Sequence, residues 1–197
     1  SDRPAATPDR EWLHRVRRRE PAALERFFDL YYDRIVGHVA RMVGDRHLAE
    51  DLAHEAFLRL GRAIERLDPE RDPAAWVYTV ATNCVRDHWR SRRHQDAQRS
   101  TELTGDHLEV LADEEESAEQ QLARRQQEQA VREALQTLAV EDREVILLHD
   151  HEGLEHTVIA GVLGLKPDAV RQRYRRAVAR LGEVFRSRLD HQERQEP

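Results

Sequence analysis

Lysine is almost missing from this chain: of 32 basic residues, only Lys166 is not arginine. Positive charge is therefore carried on planar guanidinium forks, which suit phosphates, base edges and carboxylates better than a point charge does. Cysteine is nearly missing too. The single Cys84 excludes an internal disulfide, and the lack of a cysteine framework fits a reducing, cytoplasmic setting. No apolar run approaches the roughly 20 residues of a membrane span. The start, SDRPAATPDREW, lacks the apolar centre of a signal peptide. The expectation is an intracellular protein with no direct membrane insertion. Nucleophile motifs and phosphate-binding glycine loops are also missing, so no enzyme and no cofactor are expected. His149, Asp150, His151 and His156 cluster in sequence, yet 149 and 151 leave a helix in different directions and share no metal-binding face. They read as exposed histidines around a turn.

What is present is charge, 36% of residues against 39% hydrophobic. That balance suits two small helical cores better than one large one. The net charge of −6 is unevenly spread. Residues 1–95 hold 18 Arg and 16 Asp and Glu, net +2; residues 96–123 hold 1 Arg and 9 acids, net −8; residues 124–197 hold 13 basic and 13 acidic residues, net 0. The middle segment includes Asp113-Glu114-Glu115-Glu116, few aliphatics and no aromatics. It cannot bury enough apolar surface to offset its ordering entropy, so it reads as a linker.

The N-terminal part is helical. Leu24, Phe27, Phe28, Tyr31, Ile35, Val39 and Met42 recur at helical spacing between Pro21, suited to a first turn, and Gly44, suited to an end. Asp45 caps a next helix, whose stripe is Leu48, Leu52, Ala56, Leu60 and Ile64, with Phe57 beside it. LDPERDP (67–73) breaks the pattern, and Asp72-Pro73 opens a third helix over 74–93. On that helix Trp76, Val80, Cys84 and Val85 make an apolar face. Asn83, Arg86, Asp87 and Arg90 cluster on another, at spacings of three and four. Terminal arginines offset a helix dipole, but that does not account for Asn83 and Arg86, which are residue types that read bases or grip phosphates.

The C-terminal part begins with a helix over 121–138, with Leu122, Val131, Leu135 and Leu138 inward, and a second over 141–153 closed by Gly153. TVIAGVLGLKPDAVRQRYRRAVARL (157–181) then has helix-turn-helix spacing. Ala160 allows a close crossing, Gly164 ends one helix in the left-handed conformation, Pro167 starts the next, and Val170, Tyr174, Ala177 and Leu181 form its core stripe. Arg171, Gln172, Arg175 and Arg176 are left outward. An ordinary surface helix mixes charge signs, whereas residues 170–182 contain no acid. The docking expected of such a helix is in the DNA major groove.

Both halves resemble a sigma factor of the extracytoplasmic-function (ECF) group. The resemblance runs through VGDRHLAEDLAHEAFLRL (43–60), DPERDPAAWVYTVATNCVRDHWRSRR (68–93) and LQTLAVEDREVILLHDHEGLEHTVIAGVLGLKPDAVRQRYRRAVARL (135–181). It implies an all-α chain of two small domains, a helix bundle and a helix-turn-helix, joined by an acidic flexible linker. Its boundaries are an extension 1–20, a polymerase- and −10-binding region 21–95, the linker 96–120, a −35-binding region 121–190 and a tail 191–197. The implied partners are core RNA polymerase, through the β′ clamp helices, promoter DNA and an anti-sigma factor. Glu50, Asp51 and Glu55 match the polymerase-docking helix. Asn83, Arg86, Asp87 and Arg90 match positions that handle −10 DNA, and the loop Leu67–Asp72 matches one that captures an extruded base. Arg171, Gln172, Arg175 and Arg176 match the −35 contact face. Departures are local: Gly61 and His54 replace residues usual in the family, the capture loop has no aromatic, and Lys166 and Ala169 stand where stronger capping residues are usual. Two other readings compete: a sigma-like protein that titrates an anti-sigma factor without initiating transcription, and a plain helix-turn-helix regulator. The arginine face counts against the first, and the ordered match over 43–93 against the second.

Overall fold

The computed structural model describes residues 9–96 and 118–193. The acidic run Asp113–Glu116 and the last residues of the tail lie outside them. Eight α-helices account for most of the described residues: α1 (Arg10–Arg17), α2 (Pro21–Val43), α3 (Arg46–Ala63), α4 (Pro73–Asp96), α5 (Ala118–Gln136), α6 (Val140–Ile146), α7 (His156–Leu163) and α8 (Pro167–Glu193). A 3₁₀ turn, Ile64–Arg66, follows α3. A wider turn, Leu147–His151, follows α6, its Leu147 carbonyl accepting from the Glu152 amide five residues on.

Helix boundaries fall where the local chemistry puts them. Pro21 opens α2, and Gly44 closes it at φ 79. Asp45 caps α3 by accepting from the Leu48 amide at 2.9 Å, and Asp72 does the same for Ala74 at 2.8 Å ahead of α4. Gly164 ends α7 at φ 66. The apolar faces differ from the expected ones in phase. The buried row of α3 is Ala49, Ala53, Ala56 and Leu60, while Leu48 and Leu52 are only half-buried. Small alanines let α3 lie close against α2, and the bulkier leucines are turned to its edges. On α4 the core face is Val77, Tyr78, Ala81, Cys84 and Val85, with Trp76 and Val80 at the margin. Val131 of α5 is exposed, not inward, and Leu122 lies outside the described side chains. Val170 and Ala177 of α8 are fully buried, whereas Tyr174 and Leu181 are partly covered.

Residues 10–17, which carried no expectation of structure, form part of the core. Trp12, Leu13 and Val16 are buried against α2, and Trp12 meets Phe27 at 6.1 Å between ring centroids. Phe27 in turn meets Tyr31 at 5.0 Å. Each such side chain removed from water contributes about 1.5–3 kcal/mol.

The two halves are packed against each other, chiefly α4 against α7, with α2 touching α5 and α6, and their buried side chains join into one core. Polar and charged groups tie the seam. Arg143 donates to the carbonyls of Leu135 at 2.9 Å, Gln136 at 2.9 Å and Leu138 at 3.3 Å, and to that of Met42 across the seam. Gln136 Nε2 donates to the Arg41 carbonyl at 3.0 Å. Tyr78 on α4 donates its hydroxyl to the buried Glu152.

Candidate nucleic-acid interface

The α8 face follows from its core stripe. With Val170 and Ala177 seated inward, Arg171, Gln172, Arg175 and Arg176 are exposed. Arg171 reaches back to Asp168 in the first turn of α8. Arg175 and Arg176 have no acidic partner among the described residues, so two free guanidinium forks project from one face. Arg180, one turn on, is held by Asp142. Behind the helix, Tyr174 donates to Asp150 Oδ1 at 2.7 Å and stands edge-on to His149 and His156, whose rings are 4.3 Å apart. Burial, with the Asp150 bond, pushes the Tyr174 phenol up to about 12. This packing fixes the rotation of α8 about its axis. His149 Nδ1 bonds the Leu154 carbonyl at 3.0 Å and His151 Nδ1 bonds Glu152 at 3.0 Å.

The α4 residues are brought onto one side of that helix but not into one environment. Asn83 and Arg90 are exposed. Asp87 joins α4 to α3 by accepting from Arg59 Nη1 at 2.9 Å, and it meets Arg90 at 3.4 Å. Arg86 lies across the seam instead, donating to Glu144 Oε2 at 2.6 Å. Glu144 is 0% exposed. Burial pushes its carboxyl up to about 7, against the pull of the Arg86 guanidinium. Glu152 responds the other way. Burial acts to raise it, but hydrogen bonds from His151 and Tyr78 outweigh burial and hold the carboxylate below its ordinary range. His38 is buried under Tyr78, edge-on at 5.2 Å, and burial lowers it to about 4.

On α3, Asp51 is exposed, while Glu50 and Glu55 are half-buried and accept from Arg46 at 3.0 Å and Arg59 at 2.8 Å. Two apolar side chains overlooked in sequence stand out nearby: Leu58 at 43% and Tyr32 at 50% exposure. Tyr32 is stacked on Phe57 at 5.5 Å. Asp51, His54 and Leu58 share one exposed row at helical spacing. The row was hidden in sequence because Leu58 looks like an ordinary core leucine until the phase of α3 is known.

The loop 67–72 is anchored by buried Leu67 and Pro69. It is tied to α1 by Arg10, 2.7 Å from Glu70. No helix among the described residues is long and apolar enough to cross a membrane.

Comparison with known proteins agrees with this layout. Residues 27–95 match sigma-70 region 2, and residues 128–181 match sigma-70 region 4. The chain is 33% identical over 173 residues to the RNA polymerase sigma factor CarQ of Myxococcus xanthus, covering 88% of this chain and 95% of that one. It is 32% identical over 188 residues to the ECF RNA polymerase sigma factor BldN of Streptomyces coelicolor, covering 93% and 69%. The fold matches that of the sigma factor RpoE, solved in complex with the anti-sigma factor NepR from Bartonella quintana, with a TM-score of 0.69 at 18% identity over 83% of this chain and 96% of that one. The chain therefore belongs to the ECF sigma factors, the RNA polymerase subunits that act in transcription initiation.

Proposed function

We propose that this chain binds core RNA polymerase through the exposed row of α3, reads −35 DNA with Arg171, Gln172, Arg175 and Arg176, and opens −10 DNA with Asn83, Arg86, Asp87 and Arg90. The observation that carries this reading is the acid-free stretch 170–182 of α8, with Arg175 and Arg176 exposed and without an acidic partner among the described residues while Tyr174 and Val170 fix the helix from behind. Forked donors on a rigid helix suit major-groove base edges, where one good bidentate contact is worth about 1–3 kcal/mol of discrimination. The row Asp51, His54 and Leu58, with Tyr32 close by, gives a polymerase surface both charge and an apolar anchor. The same faces would suit an anti-sigma factor, which keeps a sigma factor inactive by covering them.

The direct test is transcription from fragmented genomic DNA by core polymerase, with and without the chain, followed by sequencing of transcript 5′ ends. New starts sharing an upstream element are expected, and Arg175→Ala should lose them selectively. If no new starts appear while an anti-sigma factor is still captured, the chain is a titrating protein and not an initiator.

A further inference from the structure

One surface is assigned no role by the functional reading above: the outer face of α1. This short helix and its exit carry Arg10, His14, Arg15, Arg17, Arg18 and Arg19 within ten residues. Three of the arginines are committed. Arg15 pairs with Glu20 at 2.7 Å, Arg10 with Glu70 at 2.7 Å, and Arg19 with Glu65 at 3.0 Å. Arg19 makes its pairing from a left-handed backbone, φ 60, at a position where glycine would cost less. The last two pairs fasten α1 to the 3₁₀ turn and to the loop 67–72. Arg17 and Arg18 remain without an acidic partner among the described residues. With His14 and Glu65 they line an open cleft of about 540 Å3, a size typical of ligand sites. Counting Arg17, Arg18 and Arg19 against Glu65, the cleft and its rim carry +2.

We propose that this cleft is a binding site for the backbone of single-stranded DNA, holding the phosphates next to the base that enters the loop 67–72. The proposal rests on the reading of that loop and of α4 as the −10 site. A loop without an aromatic gives an extruded base little stacking. The strand must then be held by its phosphates, and a site for them is expected beside the loop. The cleft is beside the loop, is positively charged, and is bolted to it through Glu65 and Glu70. Arg17 at the end of α1 and Arg18 at its cap offer two forked cations to neighbouring phosphates. The site also stands open while the halves are packed, so the free chain binds without prior rearrangement.

The test is fluorescence anisotropy of the full-length chain with a short labelled oligo(dT) strand and with a duplex of equal length, over a range of salt. The double variant Arg17→Ala/Arg18→Ala should weaken oligo(dT) binding and flatten the dependence of log K on log salt by about 1.4, the release expected for two phosphates of a single strand. Its urea midpoint should match the parent, because neither side chain supports the fold. Asn83→Ala/Arg90→Ala reports on the −10 reading separately. If that pair weakens binding and the α1 pair does not, the cleft is overturned and the −10 reading stands. If neither pair matters, or the parent does not bind oligo(dT) at low salt, the cleft is overturned, and the −10 reading is decided by transcription with core polymerase and Asn83→Ala/Arg90→Ala. An equal loss on the duplex overturns the assignment to a single strand.

Discussion

Arg143 is the residue on which the junction of the halves turns. Its guanidinium is buried without a carboxylate partner among the described residues and is satisfied by four carbonyls, three near the end of α5 and one at the end of α2. Desolvation lowers its pKa to about 10, still leaving it charged at neutral pH. Arg143→Met should destabilise the protein by about 2–4 kcal/mol, since the removed donors leave buried carbonyls unmet. Urea unfolding measures this, and an unchanged midpoint would show that water replaces the guanidinium. Such a role was not legible in sequence. Asp142, Arg143 and Glu144 are charged residues near the start of a short helix, and charged residues are rarely buried without a partner. Their partners lie on other elements, as far away as Met42, and no periodicity reports them.

Helix ends were the most legible elements, because capping is local chemistry. Gly44, Asp45, Asp72, Pro73 and Gly164 all act as their side chains or backbone freedom dictate. Two of these glycines separate local from tertiary effects. Both have positive φ, but a Cβ on Gly164 meets nothing within 4 Å, whereas one on Gly44 stands 3.0 Å from the Gln136 side chain across the seam. Gly164→Ala should cost about 1–2 kcal/mol from backbone conformation alone. Gly44→Ala should cost more, because Gln136 must also give up its place against Arg41, and paired thermal melts will rank them. The phase of α3 was less legible: alanines and leucines alternate along it, and only packing against α2 decides which row is buried. Its outcome leaves Leu58 in solvent. Leu58→Asp should change stability by less than about 0.5 kcal/mol and still weaken capture of core polymerase in a pull-down. Equal capture would remove Leu58 from the docking surface.

Taken as a whole, the molecule holds opposing titrations at its seam. Glu144 has a folded pKa above its ordinary 4.5, so its contribution is full below 4.5 and is lost as pH rises through about 7. His38 has a folded pKa below its ordinary 6.5, so its contribution is full above 6.5 and is lost as pH falls toward about 4. Between pH 4.5 and 6.5 the two slopes oppose. Glu144→Gln removes the first, so its unfolding free energy should climb relative to the parent across that window, by at most about 1.4 kcal/mol per pH unit. Parallel pH profiles from urea melts would place the Glu144 titration elsewhere. Composition alone suggested two small cores on a charged tether; that they merge follows from tertiary packing, chiefly of α4 on α7, with buried charges paired across the seam. The pairing of Arg86 with Glu144 carries one more consequence. A guanidinium held at 2.6 Å by a carboxyl is not free for an outside anion. Glu144 is thus a tethered competitor for whatever Arg86 binds, present at a fixed effective concentration that dilution cannot lower. Apparent affinity at Arg86 is scaled by the fraction of molecules in which that pair is parted.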